Sequence, residues 1–409
     1  MQSATAAETW PTAAPHSIAG VPIRELTVRP PLATVVREWG RIGCIGFGGP
    51  PTHIALLREL CVQRRGWLTE TDFEDAIAAC NLLPGPASTQ LAIYCASRLR
   101  GRLGGRVGGA AFILPGLVLI IGLAALFLAA APPRWVLGVG AGAGAAVAAV
   151  ALRAGSNLVP ASWARAAARS RPRWLVYVGA GAVAAALAGP WLVLVLLACG
   201  AFELVIQRNL GTATTPVFLP IPLLAAVAVT GGGLLALSWV ALKVGALSYG
   251  GGFVIVPLMQ ADAVSHFHWM TSGQFLNAVA LGQVTPGPVV QTVAVVGYAA
   301  AGVGGALLAA LVAFSPSFAF IALGGDRFDL IRQDERVRAF LDGAGPAAIG
   351  AILGSAIPLA NALSEDWQYG VLAAAAITLL VLRRGPILTL ALAGAAGAVA
   401  AFAGAALPR

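Results

Sequence analysis

Charge is scarce in this sequence, and lysine is almost missing. Asp, Glu, Lys and Arg make up 11% of the 409 residues, and Lys243 is the single lysine. A soluble domain carries roughly 25% charged residues, so an ordinary water-soluble fold is excluded. Histidine is rare as well, and the pair His266-x-His268 lacks the further ligands that a zinc site needs. Five cysteines (Cys44, Cys61, Cys80, Cys95, Cys199) form no C-x-x-C pair, which argues against a metal ribbon or disulfide scaffold and leaves reduced packing residues. Gly-x-Ser-x-Gly, P-loop and zinc-type His-Glu motifs are all absent. The chain therefore reads as neither an enzyme of those classes nor an ATP-driven pump in its own right, and no cofactor or metal is expected. Residues 1–33 show no short apolar run ending in a cleavage site and read as a cytoplasmic tail.

What the chain has instead is 58% hydrophobic residues and 50 glycines. Its apolar runs reach the ~20 residues that cross a bilayer as helix, and its small residues suit close helix contact in lipid. The expected fold is all-α, a polytopic membrane protein of about thirteen transmembrane helices running from 35–60 to 386–406. Gly189-Pro190 leaves open whether 174–206 is one span or two. The net charge of +9 sits in short arginine-rich loops, at 98–106, 153–173, 327–338 and 383–384. The positive-inside rule accounts for them better than a nucleic-acid partner does. Placing them all in the cytoplasm puts the N-terminus inside and the C-terminus in the periplasm.

The chain also repeats itself. Gly43 to Pro86 lies on Gly245 to Pro288 without a gap, an offset of 202 residues. Phe47-Gly48-Gly49 falls on Tyr249-Gly250-Gly251, Trp67-x-Thr69 on Trp269-x-Thr271, and Pro84-Gly85-Pro86 on Pro286-Gly287-Pro288. Arg41 falls on Lys243. The loop after the first Pro-Gly-Pro helix carries four arginines, whereas its counterpart, Ala299 to Gly305, carries no charge. Equivalent loops on opposite sides mean inverted-topology repeats. The expected organisation is a tail (1–33), a first repeat (34–210), a linking helix (211–236) and a second, inverted repeat (237–409).

Glycine pairs and Pro-Gly-Pro inside apolar spans break helices and free backbone N–H groups. Freed N–H groups and half-helix N-termini favour an anion. The candidate substrate-binding residues are therefore Phe47, Gly48, Gly49, Tyr249, Gly250, Gly251 and both Pro-Gly-Pro triplets, with Arg41 and Lys243 supplying charge. Asn81, Ser88, Thr89 and Gln90 flank the first triplet, and Gln283, Thr285, Gln291 and Thr292 the second; their hydroxyls and amides suit an oxyanion's lone pairs. The plainer alternative is that the glycines serve packing and the two cations snorkel to nearby interfaces. His53 and Asp262 are the proton-coupling candidates.

These motifs resemble the chromate ion transporter family in its long, two-domain form. The most specific stretches are Phe47-Gly48-Gly49-Pro50-Pro51-Thr52-His53 and Leu83-Pro84-Gly85-Pro86, and the resemblance runs from about residue 34 to the end. The second copy departs from it, with Gly252-Phe253 where the first has Pro50-Pro51. The resemblance implies inner-membrane efflux of chromate, with sulfate as a related oxyanion, driven by an ion gradient and carried by two halves of opposite topology. The expected partners are chromate or sulfate and the lipid bilayer, with a homodimer left open. A sulfate transporter or exchanger is one alternative. Another is a membrane enzyme or sensor acting on anionic headgroups, for which His53 would be the base.

Overall fold

The computed structural model describes residues 29–83, 85–188, 191–209, 233–248, 253–324 and 334–408. Every regular element among the described residues is helical, as a chain in lipid requires when water cannot pair its backbone. The protein is all-α. Four stretches, Ala87–Phe127, Arg134–Arg165, Val289–Leu323 and Glu335–Asn361, are long and apolar enough to cross a membrane. Helix length alone does not establish how often the chain crosses, so about thirteen spans stays an expectation. The expected linking helix lies almost wholly outside the described residues.

The first half runs α1 (Leu32–Ile45), α2 (Pro50–Arg58), α3 (Glu70–Leu82), α4 (Ala87–Phe127), α5 (Arg134–Ala145), α6 (Val147–Arg165), α7 (Arg171–Val183) and α8 (Leu192–Asn209). Pi turns at Glu59–Arg64 and Ala184–Ala188 extend α2 and α7, so 174–206 holds two helices. The second half runs α9 (Leu234–Leu247), α10 (Ile255–Gln260), α11 (Ser272–Val284), α12 (Thr292–Gly324), α13 (Glu335–Gly354), α14 (Ala356–Asn361), α15 (Asp366–Ala376) and α16 (Pro386–Phe402). Pi turns at Ala261–His266 and Ile377–Val381 extend α10 and α15.

Local chemistry explains the repeated signatures. Trp-x-Thr marks a helix start: Thr69 caps α3 by accepting from the Asp72 amide at 3.1 Å, and Thr271 caps α11 in a box with Gln274. Pro50-Pro51 opens α2, where a fixed φ fits and the lost N–H would have had no helical partner. Both α4 and α12 fold back on themselves. Gly101 (φ 63°) and Gly302 (φ 62°) take the left-handed conformation at the reversal, which only glycine adopts freely. Residues 93–97 then lie against 104–109, the geometry of a hairpin of two arms. Gly101 and Gly302 stand 201 residues apart, so the register slips by one beyond the triplets.

Small residues set the packing. Gly43 of α1 sits on the Phe112 carbonyl of α4, and Gly245 of α9 on the Ala313 carbonyl of α12. The hairpins α4 and α12 pack on each other across the halves. Farther out the halves exchange partners: α5 packs on α16, while α13 packs on α7 and α8. Gly138 and Gly142 face Gly397 and Ala393 in the first contact, and Gly350 meets the Val178 backbone in the second. Such close approach lets dispersion replace the hydrophobic drive that lipid removes.

A methyl on Gly350 would collide with the Val178 carbonyl, whereas one on Gly122 would meet nothing within 4 Å. Gly350→Ala is expected to destabilise the fold by about 1–3 kcal/mol, seen as a lower melting temperature in detergent, with Gly122→Ala near wild type.

Candidate functional site

The first glycine break and the second Pro-Gly-Pro triplet meet. After α1 ends, the Gly46 carbonyl accepts two hydrogen bonds: one from the Gly287 N–H of the other half at 3.1 Å, the other from His53 Nε2 at 2.8 Å. Because a carbonyl can only accept, Nε2 carries the ring proton. Nδ1 of the neutral ring then accepts from the Ser88 hydroxyl, 3.2 Å away. His53 is fully buried and stands edge-on to Phe112 with ring centroids 5.0 Å apart. Gly49 lies beside Val289, immediately after the second triplet. His53 is thus a fixed part of the junction between halves.

The reverse crossing exists as well. Gly85 (φ 120°) is packed among the Gln90 amide, the Ser317 hydroxyl and the Gly245 carbonyl of the second half. Gln291 Nε2 donates to the Ile113 carbonyl at 2.9 Å, and Gly116 of α4 sits against the Pro286 carbonyl. Each triplet therefore lodges against the other half's opening helix and hairpin. Gly49, Gly85, Pro286, Gly287, Gln90 and Gln291 belong to this junction, Pro86 and Pro288 adjoin it in the chain, and Gly48 is exposed beside Thr52. Phe47 is partly exposed at its edge, and Asn81 lies exposed at the end of α3. Pro84, Tyr249, Gly250 and Gly251 lie outside the described residues.

Among the described residues, several buried polar atoms near the breaks have no hydrogen-bond partner. They include Thr89 Oγ1, Ser248 Oγ, Gln283 Nε2, Gln291 Oε1 and Ser317 Oγ, all buried. Each is within a few residues of a break in sequence or, for Ser317, packed on one. Leaving a buried donor unpaired costs about 1–3 kcal/mol, so several in one region call for water or a polar ligand. Three of them are hydroxyls and one is an amide nitrogen, which is donor chemistry for an oxyanion.

The two cations are placed differently. Lys243 Nζ is 2.6 Å from Asp262 Oδ2, with their side chains 16% and 7% exposed. Arg41 is 46% exposed and lies 3.7 Å from Glu38, a carboxylate it shares with Arg37 and Arg65. Among the described residues no hydrogen bond or ion pair joins either cation to the triplets. The charge and coupling candidates Lys243 and Asp262 thus form one pair, while Arg41 sits in a separate surface cluster.

Sequence reading missed Ser317, Gly116 and the Arg173–Glu203 pair. Ser317 and Gly116 hold equivalent places beside Pro316 and Pro115, but only at the offset of 201, which the gap-free offset of 202 conceals. A second pass from the reversal glycines backwards would find them. Arg173 and Glu203 come from different helices, and no spacing rule links them.

Two homologous halves, helices broken at matching places and partnerless donors at their junction define a multi-pass membrane transport protein rather than an enzyme. A sequence profile described as Chromate transporter matches residues 33–204 and again 235–406. The chain belongs to the chromate transporter family. It is 30% identical over 362 residues to the chromate transport protein of Cupriavidus metallidurans, covering 86% of this chain and 88% of that one. It is 31% identical over 334 residues to the chromate transport protein of Pseudomonas aeruginosa, covering 80% of each. A probable chromate transport protein of Synechococcus elongatus is 28% identical, covering 80% of this chain and 84% of its own. No solved structure matches the chain.

His53→Leu removes one of two donors from the Gly46 carbonyl and strands the Ser88 hydroxyl. The expected loss is about 1–3 kcal/mol of stability, read as a melting-temperature drop in detergent; an unchanged midpoint would show that these bonds do not hold the junction.

Proposed function

We propose that this protein is a secondary-active transporter that exports chromate across the inner membrane by alternating access of two inverted halves. The observation that carries this reading is the set of unpartnered hydroxyl and amide donors at the crosswise junction of the breaks. Family membership and the relatives' printed activities supply the substrate. The loop charges support opposite orientation of the halves, a cytoplasmic N-terminus and a periplasmic C-terminus.

A dianion must be desolvated to cross, so it needs charge as well as hydrogen bonds. Lys243 supplies it. In the resting arrangement Asp262 neutralises Lys243 at 2.6 Å, and an arriving oxyanion competes with that carboxylate for the ammonium. Protonation of Asp262 or its withdrawal with the pi turn releases Lys243 to the substrate. This makes the pair a switch, with Asp262 the proton carrier. His53, donating to a backbone carbonyl, holds the junction and has no proton to give without breaking it. Arg41, half-exposed four residues before α1 ends, draws anions toward the membrane. Outward movement of two negative charges is favoured by roughly 2.3 kcal/mol per charge per 100 mV, inside negative.

Everted vesicles test this. Chromate uptake is expected in vesicles carrying wild type, faster with an inside-positive potential and slowed when the potential is collapsed. Lys243→Ala is expected to lower uptake at least tenfold, with Lys243→Arg recovering part of it because charge returns without the same geometry. Unchanged uptake in Lys243→Ala overturns the role of the pair. Sulfate uptake that outruns chromate in wild type would reassign the substrate to sulfate.

A further inference from the structure

One opening in the described structure is lined by neither Lys243 nor Arg41. It is a cavity of about 400 Å³ between the end of α3, the α6–α7 turn, α8 and α13. Its floor is the first triplet: Leu83 and Gly85 are buried there beside Val254, which follows the second glycine break. Its mouth carries Arg165 and Arg169, both exposed. Asn81 is exposed into it, one turn from the floor.

The charges lining it are not equivalent. Arg173 forks onto Glu203, Nε to Oε2 at 2.8 Å and Nη2 to Oε1 at 2.9 Å. Tyr177 donates to the same carboxylate at 2.8 Å and Gln207 at 3.1 Å. Glu203 is therefore saturated and Arg173 neutralised, forming a rigid wall. Arg165 and Arg169 have no carboxylate within ion-pair distance among the described residues. Facing them from α13 is Asp342. Asp342 faces Arg165 and is shared with Arg338, so the arginines outnumber it and leave the mouth positive, and a concave, low-dielectric wall concentrates that field.

Among the described residues, the equivalent place in the second half is filled. In the second half, α11 is the counterpart of α3, and it packs along α5 with Asn277 held against Gly140 and Gly144. By the repeat, α3 should pack in the same way along α13. Instead α3 touches α13 only slightly, Asn81 stays exposed, and the cavity lies between the two helices. One side of the junction is closed and the other open.

We propose that this cavity is the intake vestibule for a small tetrahedral dianion, with Arg165 and Arg169 as its capture cations and Asn81 the polar step down to the first triplet. The proposal deepens the transport reading and rests on it for the identity of the passenger. The arginines lie in the loop that the charge rule assigns to the cytoplasm, so the vestibule takes anions from that side.

Two measurements test it separately from the transport reading. In everted vesicles, R165Q/R169Q is expected to raise the KM for chromate about tenfold with Vmax little changed and to flatten the dependence of uptake on ionic strength. R106Q, on another basic loop, serves as the control and keeps wild-type KM. In a chain with its five cysteines replaced, Asn81→Cys is expected to react about tenfold faster with an anionic sulfonatoethyl methanethiosulfonate than with its cationic trimethylammonium counterpart. That preference should fall to within about twofold when R165Q/R169Q is added. Wild-type uptake with an unchanged KM in R165Q/R169Q overturns the vestibule and leaves the transport reading standing. Absence of wild-type uptake of both chromate and sulfate overturns the transport reading, and the labelling ratio still decides whether the cavity selects anions. Faster labelling by the cationic reagent overturns the proposal.

Discussion

A chain that breaks its helices within a bilayer exposes amides and carbonyls that lipid cannot pair. Here each half closes the other's breaks. The Gly287 N–H reaches the Gly46 carbonyl, Gln291 reaches the Ile113 carbonyl, and Gly85 lies against the Gly245 carbonyl. That mutual satisfaction constrains everything around it. It forces glycine where backbone meets backbone and fixes His53 and Ser88 as a brace. Among the described residues, the buried hydroxyls and amide left without a partner near the breaks are the groups on which the proposed substrate contact rests.

The asymmetry between halves is as informative as their likeness. The cation position survives duplication, as Arg41 and Lys243, but its surroundings do not. Lys243 gained a partner in Asp262, which replaces Leu60 of the first copy, whereas Arg41 pairs with Glu38 on its own helix. His53 likewise faces an apolar counterpart, Ile255. Two copies of one scaffold thus carry different chemistry: a titratable ion pair in one half and a hydrogen-bonded brace in the other.

Much of the fold was legible beforehand, and the reasons are physical. Pro-Gly-Pro and Gly-Gly punctuate helices whatever surrounds them, and Thr two residues after Trp caps the next helix in both copies. Those signals are local, so α1, α3, α9 and α11 follow from them. Partner choice is not local. Gly350 and Gly397 have the same residue type and similar neighbours, and nothing in the sequence says that one meets α7 and the other α5. The Lys243–Asp262 pair depends on the pi turn at Ala261–His266, a backbone detail without a sequence signature. Ser317 and Gly116 were hidden by the slip from 202 to 201 residues.

The exchange of outer helices carries a consequence for how the protein is made. Helices α7 and α8 leave the ribosome long before α13, the helix that covers Tyr177, Cys199 and Glu203. Until α13 arrives, the pair of Arg173 and Glu203 lacks the helix whose Gly343 closes over Glu203. The first half therefore gains part of its packing only from the second. A ribosome that stops after the first copy leaves α7 and α8 without the helix that covers them.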